Sequence, residues 1–302
     1  MISLHKLIFI FIFILLSLSS FGGSSSLVNF KDNKNKQETK YFYYKNGDMS
    51  SMQNFKNGNA DGKWTRWHRN GQLSSEEYYI GGSREGMWTT WYQDGQLKAK
   101  ESFKADKKNA KQSYWHSNGQ LSSEEYYIDG SREGMWAIWH SNGKIQAKKN
   151  YKNNKSEFKQ SYWYSNGQLR SEEYYIGGSR EGMWTTWNLD GQLKTTINFK
   201  SNKIVDEIKY FYHDDRKLKA VINFKDNMII DEIKYFYHKD RQLKAKESFK
   251  AGMKTGTWTW WNKRGHKQEE RNYIDDNLID KTQFKYSFFT NKLKLKETYK
   301  ND

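Results

Sequence analysis

The sequence predicts an all-β fold: an elongated array of about eleven stacked β-hairpin repeats with a period of about 24 residues, forming a single twisted meander sheet or an open solenoid. A turn glycine recurs at a fixed interval, and aromatic residues hold fixed places around it. Hydrophobic residues make up only 35% of the chain, yet 17% is aromatic. A compact α/β domain buries mostly aliphatic side chains, so this composition favours a thin, extended structure.

Each repeat is anchored on the glycine of an Asn-Gly-Gln-Leu phrase or a close variant of it. The glycine recurs every 24 residues from Gly47 to Gly191, the central copies being Gly71, Gly95, Gly119, Gly143 and Gly167. The register continues at Arg216, Arg241, Gly265 and Asn291. Asn-Gly and Asp-Gly favour the positive φ angles of hairpin turns, so each unit predicts one β-hairpin. Because arginine replaces glycine at Arg216 and Arg241, we expect those two turns to differ in type.

Aromatic residues form columns at fixed positions, counted here from the anchor. Ten of the eleven units have an aromatic residue at −4, and all have one at +8. We expect these two columns to pack as the repeat core: Trp67, Trp91, Trp115, Trp139, Trp163 and Trp187 at −4, with Tyr79, Phe103, Tyr127, Tyr151 and Tyr175 at +8. One hairpin is marginal in water, whereas stacked hairpins can bury aromatic rows against one another. About 22 strands at ~4.8 Å spacing predict a sheet on the order of 100 Å long.

A further tryptophan stands at −7 in only five units: Trp64, Trp88, Trp136, Trp184 and Trp258. A glycine precedes each of them by two residues. Because the other units lack this tryptophan, we expect the −7 column to be the candidate binding surface, where rings can stack on sugars or hold cations. Positions −7 and −4 have opposite parity on a strand. Either a bulge lies between them or both faces of the sheet are aromatic.

The N-terminal segment is typical of a secretory signal peptide. His5 and Lys6 precede an apolar run over 7–16, which is followed by small residues. We expect a signal peptide over 1–22, a linker over 23–40 and the repeat array over 41–302. The protein is then exported to the periplasm, the cell surface or the medium; the alternative is an uncleaved membrane anchor. The apolar run is shorter than the ~20 residues that span a bilayer comfortably.

The net charge of +16 narrows the choice of partner. The excess is carried by lysine at repeated positions rather than by arginine, the usual reader of phosphates and bases. We therefore expect an unidentified protein, or an anionic polymer or lipid surface of the cell envelope, as partner of a monomeric chain. Nucleic acid is the less favoured alternative.

The pattern Gly-x-Trp-x-x-Trp-x-x-Asn-Gly-x-Leu, followed by Glu and Tyr, runs from Gly62 to Tyr79 and is similar to the MORN repeat variant. The resemblance covers about 41–302, with five units matching the full pattern, and extends to bacterial proteins labelled YwqK-family antitoxins. It implies a hairpin array that binds proteins or membranes without catalytic residues. An antitoxin against an intracellular toxin would stay in the cytosol, which does not fit an export signal.

Motifs for catalysis or metal binding favour a non-enzymatic chain without cofactors. There is no cysteine, and five of the seven histidines share position −3, where we expect them to be solvated. These are His68, His116, His140, His213 and His238. The carboxylate pairs, such as Glu76 and Glu77, are consecutive on a strand and should point to opposite faces. Gly-Ser-Arg-Glu-Gly segments, as at 82–86, lack the Lys-Ser/Thr ending of a phosphate loop and predict hairpin connections.

Three functions follow from these features. We expect an exported repeat scaffold that binds a protein or an envelope surface. The alternatives are an aromatic-repeat module for glycans or the cell wall, and a secreted toxin-neutralising protein similar to an antitoxin.

Export is the first prediction. Because 1–22 carry the one long apolar run of the sequence, cell fractionation should find the protein outside the cytoplasm, and mass spectrometry should find it shortened at the N-terminus. Full-length, unprocessed protein in the soluble cytosol would remove the export hypothesis and favour an intracellular antitoxin.

Overall fold

A computed structural model describes residues 36–287 and 290–300, which form one antiparallel sheet of 29 strands. This confirms the predicted all-β array of eleven hairpins. The predicted signal peptide and most of the predicted linker lie outside the described residues, and the first strand begins at Gln37, before the expected array boundary. In the described part of the chain no helix is long and apolar enough to span a bilayer.

Every repeat has a leading strand that runs toward the anchor and a return strand that runs away from it. The leading strands are β1 Gln37–Tyr43, β4 Gly62–Trp67, β7 Gly86–Trp91, β10 Ala110–Trp115, β13 Gly134–Trp139, β16 Phe158–Trp163, β19 Gly182–Trp187, β21 Lys203–Tyr212, β23 Met228–Tyr237, β26 Gly256–Trp261 and β28 Asn277–Tyr286. The return strands are β2 Met49–Lys56, β5 Leu73–Ile80, β8 Leu97–Lys104, β11 Leu121–Ile128, β14 Ile145–Lys152, β17 Leu169–Ile176, β20 Leu193–Lys200, β22 Leu218–Lys225, β24 Leu243–Lys250, β27 Lys267–Ile274 and β29 Leu293–Lys300. Seven two-residue strands precede leading strands: β3 Asn59–Ala60, β6 Ser83–Arg84, β9 Lys107–Lys108, β12 Ser131–Arg132, β15 Lys155–Ser156, β18 Ser179–Arg180 and β25 Met253–Lys254.

The anchor turns line one edge of the sheet, which we call the anchor edge. In the second repeat, the Gly71 N–H donates to the carbonyl of His68 at 2.9 Å, and the His68 N–H donates to Gln72 at 2.8 Å. Gly71 has φ +83°, as in a type I turn closed by a glycine bulge. The Asn70 side chain accepts a hydrogen bond from the Gln72 N–H at 3.2 Å. The Asn-Gly pair thus supplies both the side-chain cap and the left-handed residue.

The turns at Arg216 and Arg241 correct the expectation that they differ in type. Both arginines adopt the left-handed conformation, with φ of +69° and +74°. Their N–H groups donate to His213 and His238 at 2.9 Å, the same hydrogen bond that Gly71 makes. The fixed hydrogen-bond pattern of the turn overrides the roughly 1–2 kcal/mol cost of a left-handed residue with a Cβ.

The opposite edge, which we call the far edge, is built from two-residue turns. Both central residues have positive φ, as at Gly81 and Gly82 with +59° and +96°, which is the type I′ conformation that suits twisted hairpins. In seven repeats the chain then bulges at position −9, where Gly86, for example, has φ +65°. The leading strands of repeats eight, nine and eleven run ten residues without this left-handed bulge.

A second bulge lies in the return strand of all eleven hairpins, whereas the leading strand stays unbroken and its alternation places positions −7 and −4 on opposite faces. In the second repeat Trp64 lies opposite Glu77, whereas Trp67 lies opposite Leu73 after the register shifts. Directly opposed residues share a face. The −7 and +8 side chains therefore share one face, which we call the ring face, and the −4 tryptophans lie on the other, the back face. Of the two alternatives raised by the parity of the columns, the second holds: both faces are aromatic, and no bulge lies between −7 and −4 on the leading strand.

The left-handed arginines generate the second prediction. Arg241→Gly should raise the local opening free energy of β23 and β24 by about 1 kcal/mol, because glycine avoids the steric cost of positive φ. Amide hydrogen exchange followed by mass spectrometry measures this change.

The matched control is Gly95→Arg, which should lower the protection of β7 and β8. A Cβ at Gly95 would lie only 3.0 Å from Oε1 of Gln72. Unchanged exchange in the Arg241→Gly variant would show that the left-handed arginine carries no strain.

Candidate functional site

The ring face carries a ladder in which the −7 and +8 rings interleave along the sheet. Phe55, Trp64, Tyr79, Trp88 and Phe103 follow one another at centroid distances of 4.7–5.1 Å. Shorter runs repeat the arrangement at Tyr127–Trp136–Tyr151, Tyr175–Trp184–Phe199 and Phe249–Trp258–Tyr273. Tilted aromatic pairs at this distance contribute about 0.5–1.5 kcal/mol beyond the area that they bury. The ladder is the core of this single-layer sheet.

This geometry corrects the expectation that the −7 tryptophans stand apart from the core as an exposed surface. Trp136 and Trp258 are each 8% exposed, and Trp64, Trp88 and Trp184 are half-buried between +8 rings. Each of the five indole N–H groups donates to a backbone carbonyl ten residues earlier, at 2.7–3.1 Å. That carbonyl also accepts a backbone N–H from the bulge, as the Tyr126 carbonyl does from Glu133. The −7 side chain therefore fixes the bulge as well as filling the ladder.

Two repeats without a −7 tryptophan explain how the array tolerates its absence. Gln112 and Gln160 occupy the same position and are 0% and 1% exposed. Gln112 Nε2 donates to the Ser102 carbonyl at 3.1 Å, and its Oε1 accepts from the Ser102 N–H at 2.8 Å. Sequence reasoning missed these glutamines, although their place in the tryptophan column was a signal that could have found them.

Cations from the Gly-Ser-Arg-Glu-Gly segments cover the ladder. The Arg84 guanidinium lies 4.4 Å from the Phe103 centroid and 5.7 Å from that of Trp88. Arg132 and Arg180 hold the equivalent places in later repeats. Arg84 also pairs with Asp106 at 3.3 Å. As expected, these segments are hairpin connections. Their arginines link one repeat to the next.

The paired glutamates point to opposite faces. On the back face Glu76 forms an ion pair with Lys63 at 2.6 Å. On the ring face Glu77 accepts hydrogen bonds from Ser75 Oγ at 2.8 Å and from the Tyr79 hydroxyl at 2.9 Å. Burial, and then the hydrogen bond to Glu77, raises the pKa of Tyr79 to about 12. The two carboxylates of a pair do not converge on one site.

Four of the five histidines at −3 correct the expectation of solvated side chains, whereas His213 is exposed. Nε2 of His68 donates to the carbonyl of Trp91 in the next repeat at 3.1 Å, and His116, His140 and His238 make the equivalent bond. Tyrosine hydroxyls do the same at Tyr44, Tyr92 and Tyr164. Within 36–287 and 290–300 no group of three or more His, Asp or Glu residues has the geometry to hold a metal.

The other two columns predicted from the sequence, the −4 tryptophans and the turn glycines, have structural roles. All six central −4 tryptophans are half-buried on the back face, and each of their carbonyls accepts a hydrogen bond from a −3 side chain. The turn glycines Gly71, Gly95, Gly119, Gly143, Gly167 and Gly191 all have positive φ.

The back face exposes a feature that the sequence analysis missed. At its far-edge side, Tyr78 and Ile80 on β5 lie beside Met87 on β7, and all three are exposed. The same trio recurs as Tyr126, Ile128 and Met135, and as Tyr174, Ile176 and Met183. The isoleucines are 67%, 59% and 53% exposed. We call these three sets the Tyr-Ile-Met clusters, and the middle one lines a shallow apolar depression.

Lysines separate the Tyr-Ile-Met clusters. The isoleucine position, +9, is taken in the alternate repeats by Lys104, Lys152 and Lys200, all exposed. Two repeats span four strands, so successive clusters lie about 19 Å apart. The result is a strip along one face in which apolar and cationic groups alternate at a regular spacing.

An open antiparallel sheet of tandem hairpins, with repeated side chains along one face, defines the protein as a repeat scaffold for binding. Six of its eleven repeats belong to the MORN-repeat-variant family. Six copies match the description "MORN repeat variant", at 60–80, 84–105, 108–129, 132–153, 159–176 and 180–201. A comparison with curated protein sequences finds no match.

Similar solved structures include parts of much longer chains. The crystal structure of TcdB2-TccC3 is 11% identical over 83% of this chain and 17% of that chain, with a TM-score of 0.24. Its complex TcdB2-TccC3-Cdc42 is 12% identical over 82% and 17%, with a TM-score of 0.19. A Photorhabdus luminescens Tc holotoxin pore carrying TccC3-D651A is 10% identical over 86% and 17%, also at 0.19. The chain thus spans about a sixth of the length of those chains.

The ladder generates the third prediction. Trp136→Ala should destabilise the fifth repeat by about 3–5 kcal/mol, as much as Tyr127→Ala, because both remove a ring from one packed row. Hydrogen exchange and limited proteolysis around β13 and β14 measure the loss.

Two further variants make this test specific. Met135→Ala, at a neighbouring exposed side chain, should leave the protection of β13 and β14 unchanged. Trp136→Phe keeps a ring but removes the N–H and should have an intermediate effect. A stable Trp136→Ala variant would contradict the core role of the −7 tryptophans and favour their interpretation as a binding surface.

Proposed function

We propose that the protein is an exported, non-enzymatic repeat scaffold that binds an anionic surface of the cell envelope through its Tyr-Ile-Met clusters. One observation carries the proposal: three identical exposed apolar clusters alternate with lysines along one face. The signal-like segment over 1–22 supports the exported location.

The chemistry of the clusters fits an interface that is both apolar and negatively charged. Isoleucine and methionine bury apolar area, and methionine adapts its shape to irregular surfaces. Tyrosine suits a boundary between apolar and aqueous surroundings, because its ring is apolar and its hydroxyl is polar. Lysine stems lie along apolar surface while their ammonium groups reach anionic groups. The net charge of +16 adds long-range attraction to such a surface.

Regular spacing turns weak contacts into stable binding. A single cluster of three side chains buries little area, but the sheet holds three of them about 19 Å apart. Once one cluster is engaged, the others bind at a high effective concentration, so avidity exceeds the affinity of any one cluster. A binding scaffold uses a repeated array in this way, whereas an enzyme needs one unique site.

Side chains that sequence reasoning considered for catalysis have structural partners. The −3 histidines His68, His116, His140 and His238 bind the next turn. Glu76 pairs with Lys63, and Glu77 binds Tyr79 on the other face. These partnerships support a non-enzymatic role.

The test compares two triple variants that make the same change at similarly exposed residues. Ile80→Ser, Ile128→Ser and Ile176→Ser alter all three clusters, whereas Ile204→Ser, Ile229→Ser and Ile274→Ser alter exposed isoleucines outside them. Binding is measured by co-sedimentation with phosphatidylglycerol vesicles and with purified anionic cell-wall polymer.

We expect the cluster variant to bind at least about tenfold more weakly, and the control to bind as the unchanged protein does. Higher salt should weaken binding through loss of the lysine contribution. Equal binding by both variants, or no binding of the unchanged protein to either surface, would contradict the proposal. Loss of an envelope protein from a pull-down, without any effect on the two surfaces, would assign the clusters to a protein partner instead.

A further inference from the structure

A hollow on the ring face lies between repeats eight and nine, away from the Tyr-Ile-Met clusters. Its floor is Ala220 on β22, which is 7% exposed. Phe211 on β21 lies opposite Ala220 on one side, and Lys234 on β23 lies opposite it on the other. Phe236 and Ile222 complete the apolar lining.

A change of register opens this hollow. The leading strands of repeats eight and nine lack the left-handed bulge, and a lysine takes the place of the −7 tryptophan. Lys234 does not cover Ala220. Its Nζ lies 3.1 Å from Glu232 and 4.6 Å from the Phe249 centroid on the following strand. In bulged repeats the +4 residue lies opposite the −5 side chain, as Ala99 lies opposite Tyr114, whereas here the shifted register places Lys234 opposite Ala220. The space over Ala220 is therefore left open.

The walls of the hollow are phenyl rings that lie outside the aromatic ladder. Phe211 and Phe236 are 42% and 41% exposed, whereas Phe103 in the ladder is 4% exposed. Across the described ranges neither phenyl packs against another aromatic ring. Two strand spacings, about 9.6 Å, separate β21 from β23, so a ring-sized group fits between their side chains over the alanine floor.

Polar groups stand at the rim. Glu232 and Lys234 form their ion pair there, and Lys219 is exposed beside it. His213 is also exposed and differs from four of its −3 equivalents: among the described residues no hydrogen bond joins its imidazole to the next repeat. Its ring instead lies edge-on to Tyr237 at 5.8 Å. A carboxylate, an ammonium group and an imidazole thus surround an aromatic, alanine-floored hollow.

We propose that this hollow binds a pyranose ring of a glycan chain. The C–H face of a sugar stacks on a phenyl ring, while its hydroxyl groups can donate to Glu232 and accept from Lys234 or His213. An apolar side chain of a partner protein would fill the hollow but would not form hydrogen bonds with these three polar groups. Apolar walls with a few placed polar groups are typical of small-ligand sites.

A third ring extends the site along the sheet. Phe236 lies opposite Ala245, and Ala245 lies opposite Trp260, so the order of ring, alanine and ring continues into repeat ten. Ala245 is 4% exposed and forms a second small floor. A glycan of several sugars can therefore contact successive rings, and a tetrasaccharide should bind more tightly than a monosaccharide.

This site is independent of the proposed envelope binding, because it lies on the opposite face and in different repeats. The probes are the tetramer of β-1,4-linked N-acetylglucosamine, β-1,4- and α-1,4-linked glucose tetramers, and the corresponding monosaccharides. Binding to the full chain is measured by calorimetry and by the tryptophan fluorescence that Trp260 contributes.

Ala220→Leu fills the hollow, and Phe211→Ala removes one wall. Each should weaken tetrasaccharide binding by about tenfold or more. The control Phe158→Ala removes a similarly exposed phenyl ring outside the site and should have no effect. Circular dichroism and hydrogen exchange of β21–β24 verify that each variant is folded. The Ile80, Ile128 and Ile176 triple variant should bind the tetrasaccharide normally, which separates this site from the clusters.

The proposal is overturned if none of the three tetramers binds at millimolar concentration, or if folded Ala220→Leu and Phe211→Ala variants bind as tightly as the unchanged chain. Binding of a phenylalanine- or tyrosine-containing peptide, with no oligosaccharide binding, would likewise overturn it and assign the hollow to a protein side chain.

Discussion

Interleaving of the −7 and +8 side chains is the contact on which the rest of the sheet depends. A single-layer sheet has no second layer to cover it. Its apolar side chains must therefore be buried against side chains of neighbouring strands on the same face. The indole of Trp136 does this between Tyr127 and Tyr151, and its N–H also binds the backbone at the bulge. Gln112 keeps the backbone contact without the ring. The −7 side chain therefore has to bind the backbone at the bulge. Tryptophan does so while also packing in the ladder, and glutamine does so without a ring.

Much of the architecture follows from local signals in the sequence. Asn-Gly at a constant interval predicts the hairpins, and the type I turn with its left-handed residue shows why that pair recurs. Which of the two alternatives holds for the −7 and −4 tryptophans could not be predicted, because the sequence does not show in which strand a bulge lies. The extra residue Ser74 lies in the return strand, so the leading strand keeps its alternation and the two tryptophans lie on opposite faces. The buried Gln112 was hidden for another reason: glutamine is ordinarily a surface residue, and only its hydrogen bonds with Ser102 explain its burial.

The candidate sites depend on departures from uniformity rather than on the repeat itself. Near-identical repeats produce the Tyr-Ile-Met clusters only because alternate units differ at +7, +9 and −8. The hollow over Ala220 arises where the register changes and Lys234 turns toward Glu232. Averaging each repeat position over all units identifies the fold, but it hides the differences that produce the clusters and the hollow. This is why the sequence predicts the scaffold well and the surfaces poorly.

Turns join the strands at both the anchor edge and the far edge, and this affects how such a chain can evolve. Every hairpin begins and ends in a turn, so a block of two repeats can be copied in tandem without breaking any strand. The phrase Ser-Glu-Glu-Tyr-Tyr-Ile at 75–80, 123–128 and 171–176 has the spacing of such copying. Each copy adds one Tyr-Ile-Met cluster in register with the others. Gene duplication and loss can thus set the number of contact points, and with it the strength of attachment, while the chemistry of each contact stays the same.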